Sequence, residues 1–246
     1  MLISHEQALI DFTELSSFAM ERHTMSKVSA SIVFSLLVSV TEFALTAPAD
    51  DAFAAADRGD YSTALRIWQP LAQKGDASAQ ANLGYMYENG HGVTRNFQQA
   101  VAWYRKSAEQ GHAKGQLNLG YMYESGQGVP QDYQQAVGWY RKASQQGHPQ
   151  AQLNLGTMYY NGFGVPKDYI RAHMWLNLAA SSLAGAYGKN NRAMITGPMT
   201  PEQIEADGKT ASDNRAIVSR RMTPAQIDRA REMANVCKES NYKQCE

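Results

Sequence analysis

Three observations predict an all-α fold built as a solenoid of stacked antiparallel helix pairs. The block Leu83-Gly84-Tyr85-Met86-Tyr87-Glu88 recurs as Leu119-Gly120-Tyr121-Met122-Tyr123-Glu124 and as Leu155-Gly156-Thr157-Met158-Tyr159-Tyr160, 36 residues apart each time. Within each period, apolar groups fall at helical spacing in two separate stretches, such as Ala79, Leu83, Met86 and Tyr87, then Phe97, Ala100, Val101, Tyr104 and Ala108. Each stretch runs into glycine, which takes the positive φ beyond a last helical turn: Gly90-x-Gly92-Val93 after the first and Gly111 after the second. A single such pair cannot bury its apolar face, so the copies must stack.

The elements follow in order. Residues 1–49 are a leader. Met25-Ser26-Lys27 is a positive start, Val28 to Val40 carries no charge, and Ala47-Pro48-Ala49 offers small residues around a cleavage site. That is the layout of a secretory signal over 25–49, with cleavage after Ala49. An uncleaved anchor is the competing reading, but the uncharged run is shorter than the roughly 20 residues a bilayer span needs. Glu6, Asp11, Glu14 and Glu21 precede the positive start, which is simplest if translation begins at Met25, the alternative being a genuine leader. Residues 50–75 read as a capping hairpin, with Ala64, Ile67, Trp68 and Leu71 lining its second helix and Pro70 expected to kink it. Residues 76–111, 112–147 and 148–183 are three full repeats.

In the third repeat, Asn177-Leu178 replaces the Arg-Lys pair at 105–106 and 141–142, so a following element should cover it. Ala180 to Met194 is expected to form that element, an incomplete fourth hairpin, and residues 184–246 are the C-terminal region of partial repeat, duplicated segment and capping helix. A shorter duplication comes next. Met199-Thr200-Pro201-Glu202-Gln203-Ile204 returns as Met222-Thr223-Pro224-Ala225-Gln226-Ile227, each with threonine at the N-cap, proline at the first helical position and glutamine two further on, a capping box. The second copy should dock as the C-terminal cap; Gly208 should interrupt the first.

The motif Ala79-x-x-x-Leu83-Gly84-x-x-Tyr87-x-x-Gly90-x-Gly92-Val93, followed by Ala100-x-x-Trp103-Tyr104-x-x-x-Ala108-x-x-Gly111, resembles the Sel-1-like repeat, a relative of the tetratricopeptide repeat. The resemblance covers residues 76–183 and implies a right-handed solenoid. It also implies an adaptor: a non-enzymatic module of the bacterial envelope, or secreted from it, that binds a protein or peptide. An envelope hydrolase acting on cell-wall or β-lactam substrates, or a purely structural assembly part, are the alternatives. Relatives with penicillin-hydrolysing activity carry a cysteine pair in each repeat; these repeats have none.

Charge and chemistry narrow the classes further. The chain has 23 Lys+Arg and 23 Asp+Glu; without residues 1–49 it keeps 21 and 18. Neither balance suits a nucleic-acid binder. His112 and His148 share one repeat position, and equivalent points on stacked helices lie about 8–10 Å apart, too far to share a metal at bonds of about 2.0 Å. No catalytic residue, cofactor or metal is expected. Cys237 and Cys245, close together in an exported chain, are expected to pair.

Binding is expected on the face that tetratricopeptide analogy makes concave. Two residues after each leucine stand Tyr85, Tyr121 and Thr157, and one turn later Glu88, Glu124 and Tyr160, with Asn82, Asn118 and Asn154 beside them. Tyr87, Tyr123, Trp103 and Trp139 are expected in the core, and Arg105 and Arg141 on the convex side near helix C-termini, where positive charge favours the dipole.

Overall fold

A computed structural model describes residues 51–186 and 201–245. The leader, including the expected signal segment, lies outside the described residues, as do Asn191-Arg192-Ala193 and Met199-Thr200. Among the described residues there are ten helices and no strand. They are α1 (51–57), α2 (Tyr61–Gln73), α3 (Ala77–Asn89), α4 (Phe97–Glu109), α5 (Ala113–Ser125), α6 (Tyr133–Ser144), α7 (Pro149–Asn161), α8 (Tyr169–Ala186), α9 (Pro201–Ser219) and α10 (Pro224–Glu239).

Most of these helices start at a residue that can accept from a free backbone N–H. Asp60, Asp76, Asn96 and Asp132 cap α2, α3, α4 and α6 through their side chains. His112 does the same for α5, accepting at Nδ1 from Gly115 N–H at 3.4 Å. First helices end on left-handed glycines, Gly90, Gly126 and Gly162. The second glycine of each loop has another duty. At Gly92, Gly128 and Gly164 the loop lies directly on the backbone of Tyr61, Phe97 and Tyr133, the starts of α2, α4 and α6 one repeat earlier. Loop side chains extend this seam: His91 stacks on Tyr61 at 4.0 Å and Phe163 on Tyr133 at 4.9 Å between ring centroids.

Consecutive helices pack pairwise along the array, and α3 also touches α5, which brings the first helices together on one side. The core is a chain of three clusters rather than one centre. Ala52, Ala55, Ala64 and Trp68 open it, with Phe53 edge-on to Trp68 at 5.2 Å; α2 runs through Pro70 as a single helix. Leu119, Met122, Tyr104 and Val101 form the middle. The largest cluster lies at the far end, around Trp175, Leu176 and Leu183.

That end differs from the sequence expectation in two respects. Residues 180–186 belong to α8 and start no new hairpin; 187–194 lie outside the described residues. Gly208 does not interrupt the first Met-Thr-Pro copy, for α9 continues through it to Ser219. Leu183 lies against this glycine, 3.5 Å from where a Cβ would stand, so the packing on α8 outweighs the poor helix propensity of one glycine. Both α9 and α10 dock on α8, covering the apolar surface of the third repeat, and α10 begins with the full Thr223–Gln226 capping box.

A disulfide joins Cys237 to Cys245. It closes the turn in which Asn241 and Tyr242 both take left-handed backbone (φ 52° and 63°) and lays the Tyr242 ring against Gly147. Such a conformation is unfavourable for side-chain-bearing residues. Replacing both cysteines with serine should therefore lower stability by about 2.5 kcal/mol from loop entropy alone. Chemical denaturation of the double variant checks this; an unchanged midpoint would show that the turn holds without the bond.

Candidate functional site

The face carried by the first helices is organised by the second-helix tyrosines. Gly84 and Gly120 leave the room: a Cβ there would stand 2.6 Å from the Tyr104 ring and 2.7 Å from the Tyr140 ring. Each ring passes through the repeat to the opposite side. The Tyr104 hydroxyl donates to Glu88 at 2.5 Å, and the Tyr140 hydroxyl donates to Glu124 at 2.5 Å. The next repeat closes the arrangement, because Asn118 and Asn154 reach the same two hydroxyls. Burial, and then the neighbouring carboxylate, holds both phenols well above the ordinary tyrosine value. Carboxylate, tyrosine and asparagine from three helices thus form an internal strut. In the third repeat Leu176 takes the tyrosine's place, buried against Gly156, and Tyr160 leans on Tyr169 instead.

The expected binding residues divide accordingly. Tyr121 is the most open, 44% exposed. Tyr85, Thr157 and Tyr160 are half-buried, and Thr157 donates back to the Leu153 carbonyl. Glu88, Glu124, Asn118 and Asn154 are half-buried strut members, their polar atoms engaged within the protein. Asn82 is buried, 3% exposed, with its Oδ1 accepting from Lys114 Nζ at 3.0 Å. In the capping hairpin Trp68 stands where the later second helices carry Tyr104 and Tyr140, so Asn82 meets Lys114 instead of a tyrosine hydroxyl.

Three further placements differ from expectation. Tyr87 and Tyr123 are half-buried rather than in the core, and Tyr123 accepts from Arg105 at 3.0 Å. Tyr159, at the same position, is buried and accepts from Arg141 at 2.9 Å. The two arginines are therefore inter-repeat ties, drawn to the next tyrosine hydroxyl. Trp103 and Trp139 are also half-buried, covered by Lys106 at 4.1 Å and Lys142 at 3.9 Å from the ring centroids. Trp175 alone of the three is fully buried, because α9 and α10 lie over α8.

Residues 77–112, 113–148 and 149–182 match the family model described as the Sel1 repeat. The chain carries three Sel1 repeats. Among solved structures, a protective antigen of uropathogenic Escherichia coli with an SLR fold is similar over 79% of this chain, at 30% identity and a TM-score of 0.61. This chain covers 39% of that protein's length. A Sel1 repeat protein from Oxalobacter formigenes is similar over 79% of this chain and 77% of its own, at 26% identity and a TM-score of 0.52. No curated protein matches the chain.

Sequence reasoning missed a second periodic feature of the Sel1 array. Gln80, Gln116 and Gln152 are all buried, and each donates to a carbonyl ending the preceding second helix: Ala72, Ala108 and Ser144. Gln110 and Gln146 donate in turn to Gln80 and Gln116. The recurrence is visible at the 36-residue spacing, but a glutamine in a helix ordinarily signals a solvated face. Its burial depends on the neighbouring helix end.

The strut gives a pH prediction. Burial raises the Glu88 carboxyl above its ordinary 4.5, against the opposing hydrogen bond from Tyr104. The folded state thus holds this proton more tightly than the unfolded state. The contribution to stability is present below the ordinary value and is lost as pH rises through the raised folded one. Glu88→Gln should flatten that part of the stability profile while still accepting from Tyr104. Glu88→Ala should cost about 1–3 kcal/mol by leaving the buried Tyr104 hydroxyl proton without its acceptor. Urea denaturation across the weakly acidic range tests both.

Proposed function

We propose that this chain is a non-enzymatic binding module for a protein or peptide, working in the bacterial envelope or secreted from it. The observation that carries the reading is the strut system. It fixes the first-helix face from within, so Tyr85 and Tyr121 stand on a surface that needs little reordering to bind. Partly exposed tyrosines on a rigid support suit recognition, since a large amphipathic ring adds contact area at small entropic cost. Sel1 repeats are commonly protein-interaction modules, and the Glu88 and Glu124 carboxylates are engaged within the protein, accepting from Tyr104 and Tyr140.

Export rests on Lys27, the uncharged Val28–Val40 run and Ala47-Pro48-Ala49. The similar E. coli protein is described as a protective antigen, which accords with a chain that leaves the cytoplasm. Mass spectrometry of the protein from its native compartment should find Asp50 at the N-terminus. A cytosolic chain starting at Met1 would defeat this part of the proposal.

The binding face is tested by Tyr85→Ala/Tyr121→Ala. Affinity for the physiological partner should fall at least about tenfold, the range for anchor residues. Gln98→Ala and Gln134→Ala, exposed on the second helices, should leave it unchanged. Calorimetry with a partner captured from periplasmic extract makes the measurement. Loss in the glutamine variants with retention in the tyrosine variant would move the site to the opposite face.

A further inference from the structure

The third repeat has no strut, and a pocket stands in its place between α7, α8 and α9. Its free space is about 170 Å³, and it opens to solvent. Thr157, Tyr160 and Leu176 line it, where the second repeat has Tyr121, Glu124 and Tyr140. Asn214 completes the set. Helix α9 packs on α8 and also touches α7, as the first helix of a fourth repeat would. Its Ala211-x-x-Asn214-x-x-Ile217-Val218 matches Ala151-x-x-Asn154-x-x-Thr157-Met158, with the first and last residues buried in both. Asn214 therefore holds the place of Asn118 and Asn154, the amides that meet a tyrosine hydroxyl.

The space comes from smaller side chains. Leu176 replaces the tyrosine that crosses the earlier repeats and Thr157 replaces Tyr121, so two rings are missing. Tyr160 does not refill the void, for its ring leans on Tyr169 at 5.8 Å between centroids. The glycine that leaves room for a ring is retained: a Cβ on Gly156 would stand 2.8 Å from Leu176 Cγ. Leu176 and Val218 form a buried apolar floor, and Ile217, 44% exposed, an apolar rim. Among the described residues, no charged side chain lines the pocket. Asn214 borders it with no second-helix phenol of its own to meet, because Leu176 stands there instead.

We propose that this pocket takes the side chain of a tyrosine in the bound protein or peptide, its ring on Leu176, Ile217 and Val218 and its hydroxyl on the Asn214 amide. The source of that tyrosine rests on the binding-module reading above. Its chemistry rests on the two filled struts, where the chain's own Tyr104 and Tyr140 hold the corresponding place. An apolar cavity of about 150 Å³ takes up benzene, so the space suits one six-membered ring. A buried tyrosine hydroxyl needs a hydrogen-bond partner, and a primary amide both donates and accepts. A charged ring substituent would lose its water with no opposite charge to meet it. A partner's side chain is favoured over a free phenol because Thr157, on the pocket wall, is the third member of the column that carries Tyr85 and Tyr121. The pocket thus continues the surface on which those two rings stand.

The test titrates the purified protein, isotope-labelled at its leucine, isoleucine and valine methyls, with p-cresol, the tyrosine side chain alone, and with toluene, the phenylalanine side chain alone. In nuclear magnetic resonance spectra p-cresol should shift the Leu176, Ile217 and Val218 methyls. Toluene should shift the same signals with an affinity about three- to tenfold weaker, the worth of one neutral hydrogen bond. Asn214→Leu should bring the two affinities together. Thr157→Tyr puts at the rim the residue that the first two repeats already carry there; it should abolish binding of both while leaving thermal unfolding near that of the parent. A blocked Gly-Ser-Tyr-Ser-Gly peptide should shift the same methyls, and its Tyr-to-Ala counterpart should shift none. No shift with p-cresol, equal affinity for toluene, or binding retained in Thr157→Tyr would each overturn the proposal. Binding of p-cresol without the tyrosine peptide would make the pocket a site for a free phenol and overturn the partner's tyrosine. If the captured partner binds Thr157→Tyr with full affinity but loses the Tyr85→Ala/Tyr121→Ala variant, the pocket is not its anchor and the binding-module reading stands. If neither variant affects it, that reading fails at this face as well.

Discussion

Gly128→Ala is expected to lower stability by about 2–5 kcal/mol, combining backbone strain with a collision between repeats. Gly128 has φ +74°, and an added Cβ would stand 2.5 Å from the Phe97 carbonyl. That carbonyl belongs to the first turn of α4, so the strain cannot be relieved by turning a side chain. Gly111 provides the control. Its φ is +85°, but nothing lies within 4 Å of its Cβ position. Gly111→Ala should cost only the left-handed penalty, about 1–2 kcal/mol. The two substitutions make the same chemical change and differ only in what the neighbouring repeat puts in the way. Since stability in stacked repeats is a sum of internal and nearest-neighbour terms, Gly128→Ala should also split thermal unfolding into two phases. A difference of less than about 0.5 kcal/mol, the usual scale of neutral surface changes, would show that the loop is not seated on α4.

Leu119→Ala should cost about 2–5 kcal/mol, the range for buried leucines. Leu119 is fully buried, in one cluster with Val101, Tyr104, Ala108 and Met122. The helices around it are pinned by the Tyr104–Glu88 and Tyr140–Glu124 bonds and by the glutamine ties, which limits collapse into the cavity. The loss should therefore fall in the upper half of that range. Chemical denaturation, with far-ultraviolet dichroism to confirm retained helix, gives the value. An unchanged midpoint would remove this residue from the core.

Much of the array is legible in the order of its residues. Leucine, alanine and glycine recur at one register, and helix ends announce themselves through local backbone chemistry: aspartate or asparagine before, glycine after. The proposed site is legible there only as a column of residues. Tyr121 and Asn82 stand at neighbouring positions of the same motif, yet one is open and the other buried. Their difference comes from partners on other helices. Asn118 and Asn154 meet the second-helix tyrosines Tyr104 and Tyr140, whereas Asn82 meets Lys114, a residue that the repeat pattern did not mark.

The period, the paired helices, their caps and the need to stack follow from residue order alone, because these depend on local backbone preference and on burying one apolar stripe. Which polar residues turn inward is settled by the packing of the helices. The buried glutamines, the carboxylate–tyrosine–asparagine struts and the Lys114–Asn82 bond owe their state to groups carried by other helices. So does the continuity of α9 through Gly208, which its docking on Leu183 sustains. A polar side chain carries the same donors and acceptors wherever it stands; burial becomes favourable only when another element supplies the complementary atom, and that atom's position is a property of the packed helices.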